Sequence, residues 1–244
     1  MMKTHSTPKT MLRNPPIPTP RVFSAILMVA VTLILWSTSS ARAQTNGALP
    51  SPAVKAAEAA YTQTIEKRVA DILAVLELKD PVRSAKAHDI LIAQYRALRD
   101  WHDANDARLK QASPEQAAQI RAALKARHDT FLASLSEVLT PAQVERVKDQ
   151  MTYGKVKVSY EAYCEIVPNL TEVQKARILE LLKEAREEAM DAGSADAKSA
   201  VFKRYKGKIN NYLSAEGHDV KQAYKDWGEK QKIRTTPPAQ KAPK

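Results

Sequence analysis

The chain has 244 residues, with 38 basic and 27 acidic side chains, a formal net charge of +11, six Gly and one Cys. Scarce Gly, plentiful Ala, Leu, Glu, Lys and Arg, and the lack of any run of alternating β-branched residues argue against a sheet-based fold and for an all-α domain. The single Cys164 excludes an internal disulfide and is expected as a small buried hydrophobe.

Residues 1–43 carry Lys3, Lys9, Arg13, Arg21 and Arg42 and no acid, with a 15-residue apolar run from Val22 to Trp36 and the small-residue end Ala41-Arg42-Ala43. This is the pattern of a signal peptide, with cleavage expected before Gln44, and it predicts a periplasmic or secreted bacterial protein. The run is shorter than the ~20 residues of a spanning helix, so no stable membrane span is expected after cleavage. Removing the five basic residues of 1–43 leaves 33 basic against 27 acidic residues, a net charge of +6. That basicity suits an anionic envelope surface and falls short of a nucleic-acid footprint, so nucleic acid is not an expected partner.

A linker is expected over 44–50, a helical domain over 51–232 and a disordered tail over 233–244, where two adjacent prolines and basic residues gather. The domain reads as a helical bundle of about five to seven helices with one irregular connector, at about 152–168. Ser51-Pro52 opens the first helix, with Tyr61, Ile65, Val69, Ile72 and Leu76 spaced by three and four, and it stops near Lys79. Asp80-Pro81 caps a second, whose stripe is His88, Leu91, Tyr95, Leu98, His102 and Leu109; Ser113-Pro114-Glu115-Gln116 opens a third, with Ile120, Leu124, His128, Phe131 and Leu135. The short link near residue 112 predicts an antiparallel hairpin.

Two copies of one sequence follow, Leu139-Thr140-Pro141-Ala142-Gln143 and Leu170-Thr171-Glu172-Val173-Gln174. Each is a helix start: Thr140 and Thr171 accept from orphan N–H groups of the first turn, and Gln143 and Gln174, three residues on, reach back to the cap backbone. The first helix so opened ends near Met151. The second runs through Ile178, Leu182, Ala185 and Ala189 to Gly193, with Arg177–Glu180 and Lys183–Glu187 as surface pairs. Ser194 caps another helix that ends near Gly217, and Asp219 starts a short piece through Trp227. Between the copies, Thr152-Tyr153-Gly154-Lys155-Val156-Lys157-Val158 alternates as an extended segment would, ahead of a short helix from Ser159.

Candidate binding residues concentrate in that connector. Tyr153, Tyr160 and Tyr163 with Glu161 present aromatic edges and a carboxylate suited to sugar or peptide contacts, or to closing the end of a bundle. Glu161 and Glu165 share a face of one short helix with no cleft implied, which does not suit a paired-carboxylate glycosidase. His88, His102 and His128 lie on apolar stripes, and the hairpin places His102 and His128 on facing helices, with Asp106 the one carboxylate on the face of His102. No Glu-x-x-His or His-x-x-x-His pair accompanies them, so packed, hydrogen-bonded histidines are expected, with no metal, cofactor or catalytic residue assigned. Lys203-Arg204-Tyr205-Lys206-Gly207-Lys208 reads as a solvated basic face.

The repeated Leu-Thr-x-x-Gln, the signal and the helical pattern together resemble the LTxxQ class of periplasmic proteins, to which the Spy/CpxP chaperone and stress-adaptor group belongs. That resemblance implies a non-enzymatic protein that cradles unfolded clients as a dimer. The segments Asp80-Pro81 to Leu109, Met151-Thr152-Tyr153-Gly154 to Leu170-Thr171, and Ala189-Met190-Asp191-Ala192-Gly193 through Ile209-Asn210-Asn211-Tyr212-Leu213 resemble an uncharacterised exported bacterial domain family of unknown function, over roughly residues 55–220. This second likeness implies a shared helical domain and does not supply an activity. The functional expectation is a non-catalytic cell-envelope protein that binds an envelope protein or unfolded client, a homodimer being compatible with that role; the alternative is a glycan-binding accessory protein using the tyrosine-rich connector.

Overall fold

The computed structural model describes residues 51–235, with side chains to 232. The expected signal peptide, the linker up to residue 50 and the tail beyond 235 lie outside the described residues. Eight helices follow in order: α1 Pro52–Leu76, α2 Pro81–Gln111, α3 Pro114–Val138, α4 Pro141–Met151, α5 Lys155–Ile166, α6 Glu172–Met190, α7 Ala195–Ala215 and α8 Val220–Thr235. No strand occurs among the described residues, so the all-α class holds, and the count exceeds the expected five to seven. The last helix continues past Ile233, where the tail was expected to begin. No helix among the described residues is long and apolar enough to cross a membrane.

The caps are set locally. Ser113, Thr140 and Thr171 each accept from the backbone N–H three residues on, while Gln116, Gln143 and Gln174 accept from the cap N–H, giving three complete capping boxes. Pro52, Pro81, Pro114 and Pro141 occupy first-turn positions, where a missing N–H costs nothing.

The stretch expected as an irregular connector is instead mostly helix. The chain breaks only at Thr152–Gly154, where Tyr153 (φ 59°) and Gly154 (φ 62°) both adopt left-handed backbone, and α5 starts directly after them. Val156, Tyr163 and Ile166 form a buried stripe at helical spacing, and burying that stripe against α6 overrides the extended preference of the alternating valines.

Two apolar cores result. One is built by α1–α4 around Ile65, Val69, Leu91, Leu135, Val147 and Met151; the other by α5–α8 around Ile178, Leu182, Ala185, Ile209 and Leu213. Helix α6 belongs to both, because Met190 at its end packs into the first core while its body packs on α5 and α7. An ionic network reinforces that join: Arg186, 3% exposed, binds Glu145 at 2.6 Å and Asp149 at 2.7 Å on α4, and Lys148 reaches Glu187 at 3.1 Å.

Candidate functional site

The residues singled out in the connector do not share a surface. Tyr163 sits on the buried stripe, its hydroxyl donating to Asn210 Oδ1 at 2.9 Å. Tyr160, three positions earlier on the helix, lies beside Cys164, Glu172 and Lys175 at another opening, and Glu161 points to Lys157 at 3.9 Å. Tyr153, ahead of the helix, lines a recess formed with α1, α2 and α7. A helical residue three positions on is rotated by about 60°, and the core claims Tyr163, so one glycan-facing tyrosine surface is not assembled. Cys164 is half-buried and unpaired. Of the basic run, Lys203 and Lys206 border a recess of about 350 Å³ with Phe202, Tyr224 and Trp227, Arg204 pairs with Glu188, and Lys208 lies over the Tyr205 ring.

The larger convergence is a cleft of about 520 Å³ where the α2–α3 hairpin meets the end of α6 and the start of α7. Helix α2 contributes Trp101, His102, Asp106 and Leu109; α3 contributes Arg121, Leu124, Lys125 and His128; Glu187, Glu188, Asp191 and Val201 come from α6 and α7. Helical spacing explains the first two groups. His102 and Asp106 are four apart, as are Arg121 and Lys125, so each pair stands on one face.

His128 is the most enclosed polar group of the cleft, at 9% exposure. Its Nδ1 donates to Asp191 at 3.0 Å and its Nε2 faces Glu187 at 3.5 Å. The hydrogen bond to Asp191, then that to Glu187, raise the imidazole pKa to about 9 against the opposing effect of burial. Burial works to raise Glu187 too, but hydrogen bonds from His128 and Lys148 outweigh it and hold the carboxyl at about 2. His102 stands edge-on to Trp101, with Nδ1 2.9 Å from Asp106 and Nε2 donating to the Asp191 carbonyl at 2.7 Å. The close approach of the α6–α7 turn to that ring requires Gly193, since a Cβ there would lie 2.8 Å from His102 Cγ.

The sequence placed His102, Asp106 and His128 near one another and missed Glu187 and Asp191. Glu187, four residues after Lys183, looked like half of a surface pair; instead it turns inward to Lys148, Arg186 and His128. Asp191 is 63 residues from His128, and only its position at a helix end near Gly193 hinted at a special role. His88 lies elsewhere, half-buried on the α1–α2 face, where its hydrogen bonds to Glu66 and then Asp89 raise its pKa. No group of three or more His, Cys, Asp or Glu among the described residues is arranged to hold a metal ion.

Comparison with curated proteins yields no match. Residues 62–233, spanning α2 to α7 whole and most of α1 and α8, match the family model described as Protein of unknown function (DUF3826), and the chain belongs to that family.

Proposed function

We propose that this is a non-catalytic, exported binding protein of the cell envelope whose ligand is a neutral, polyhydroxylated molecule, a glycan, held in the cleft between the α2–α3 hairpin and the end of α6. One observation carries the reading: the charges lining the cleft, Arg121 apart, are paired with one another or with residues just outside it. Asp191 and Glu187 hold His128, Asp106 meets His102, Lys125 meets Asp129 and Glu188 meets Arg204. A strongly charged ligand would have to break those pairs. Sugar hydroxyls instead use the spare lone pairs of the carboxylates, while the C–H faces of the rings pack on Trp101, Leu109, Leu124 and Val201. The cleft volume falls within the range of about 300–1,000 Å³ usual for ligand sites.

The absence of turnover is supported by the same groups. With His128 held charged and Glu187 held ionised at neutral pH, neither serves as a general base or a general acid tuned to that range. The unfolded-client reading calls for a continuous apolar face, and the large exposed apolar residues Val54, Val82, Tyr153, Val158 and Val173 are distributed over α1, α2, α5, α6 and the turn before α5.

A glycan array followed by calorimetry on the best ligand tests the proposal. Asp106→Ala and Arg121→Ala, both at exposed positions on the rim, are expected to weaken binding at least tenfold. A flat array refutes the reading, as does binding that ignores both rim variants and is lost in Tyr160→Ala.

A further inference from the structure

A second site stands on the other side of the α6 end, built around a lysine that the cleft does not use. Lys198, on the first turns of α7, is 5% exposed, and its Nζ donates to the carbonyls of Ala189 at 3.1 Å and Met190 at 3.2 Å. Those two bonds leave the third N–H of the ammonium without a protein acceptor, and no carboxylate lies within ion-pair distance of it. A buried cation is costly, and burial, with repulsion from Arg68, outweighs the attraction of Asp191 beyond ion-pair distance and pushes the Lys198 pKa down to about 8.

Lys198 opens onto a recess of about 120 Å³, about four water volumes, whose other polar walls are Arg68, Asp71, Tyr95, Gln150 and Tyr153. Arg68 is also without a carboxylate partner; its guanidinium lies 6.0 Å from the Tyr95 ring centroid. Asp71 at the rim is drawn off by Lys67 at 2.9 Å. Tyr153, held in left-handed backbone and 49% exposed, stands at the mouth. Two cations from different helices, a hydroxyl and an amide thus converge on a space that fits one oxyanion group.

We propose that this recess between α1, α7 and the α4–α5 turn binds a single oxyanion group, a phosphate, sulfate or carboxylate, as the counter-charge of Lys198 and Arg68. The anion accepts from the free N–H of Lys198 and from the Arg68 guanidinium, and the Tyr153 hydroxyl and Gln150 amide supply neutral donors at the opening. The proposal is independent of the glycan reading of the cleft.

The test is thermal unfolding and calorimetry of the full chain at pH 7 with sodium phosphate, sulfate or acetate, at ionic strength held constant with sodium chloride. At least one of the three is expected to raise Tm saturably beyond the chloride control. Arg68→Ala, at an exposed position that leaves the fold intact, is expected to weaken that binding at least tenfold, and Tyr153→Phe to weaken it less, while Asp106→Ala leaves it unchanged. Lys198→Met is expected to abolish binding; should that variant fail to fold, Arg68→Ala decides alone. sn-Glycerol 3-phosphate separates the sources: affinity equal to or above that of inorganic phosphate assigns the group to a larger ligand, and affinity for the inorganic ion only assigns a free anion. A Tm that follows ionic strength alone, or binding equal in wild type and Arg68→Ala, overturns the proposal.

Discussion

The clamp on His128 makes stability depend on pH in a direction that can be worked out beforehand. A group whose pKa is raised in the folded state contributes stability that is fully present below its unfolded value and is lost as pH rises through the folded value. For His128 that window runs from about 6.5 to about 9. At about 1.4 kcal/mol per pH unit, that interval is worth at most ~3.5 kcal/mol, and Asp191 and Glu187 share in that same energy. Lys198 acts in the opposite sense. Its pKa is lowered in the folded state, so stability rises between about 8 and its unfolded value near 10.5 and masks part of the loss. The comparison therefore needs His128→Gln, which keeps a donor toward Asp191 and cannot titrate. Urea unfolding of both proteins at pH 6.0 and 9.5 is expected to show the wild type losing about 2–3 kcal/mol relative to the variant across that interval. Lys198 titrates in both proteins and cancels in the difference. Equal pH profiles, or a wild type that gains stability relative to the variant, would refute the clamp.

Three further outcomes follow from the packing. Gly193→Ala is expected to displace the His102 ring, break its bond to the Asp191 carbonyl and cost about 1–3 kcal/mol by urea unfolding, with glycan affinity in the cleft falling in parallel. Arg186→Met is expected to cost about 2–4 kcal/mol; Glu145 and Asp149 are half-exposed and recover some hydration, so the full penalty for a broken buried pair is not reached, and hydrogen exchange should rise first at the α4–α6 contact. Thr171→Ala removes one cap hydrogen bond and is expected to cost about 1 kcal/mol in thermal unfolding.

What the sequence made legible was whatever is settled within a few residues. Each capping box spans four positions, and stripes such as Ile65, Val69, Ile72 and Leu76 need only one helix to be seen, so helix starts and core faces were read directly. The start of α5, ahead of the short helix expected from Ser159, escaped because Lys155-Val156-Lys157-Val158 is locally consistent with strand, and the choice between periods was made by burial against a helix that starts later in the chain. The cleft was half-legible for the same reason. His102 and His128 could be placed on facing helices from one tight turn, whereas Asp191 and Glu187 come from the end of α6, far along the chain, and nothing within reach of either histidine in sequence announces them.

The two Leu-Thr-x-x-Gln segments carry this division between local and distant in their own side chains. In each, the glutamine oxygen closes the cap, and the rest of the amide works at long range. Gln143 Nε2 donates to the Leu76 carbonyl, tying the start of α4 to the last residue of α1, and Leu139 is buried in the first core. Gln174 lies 3.4 Å from Glu216 and its oxygen 3.1 Å from His218 Nε2, tying the start of α6 to the α7–α8 junction, and Leu170 is buried in the second. One copy therefore serves each core, and a capping box that needs only Thr and Gln gains a reason for its leucine as well. Glutamate in place of either glutamine would keep the cap acceptor and lose the donor: toward Leu76 it would set a carboxylate against a carbonyl, and toward Glu216 against another carboxylate. The capping box alone admits Glu or Gln at that position. The distant partners are what select Gln in both copies.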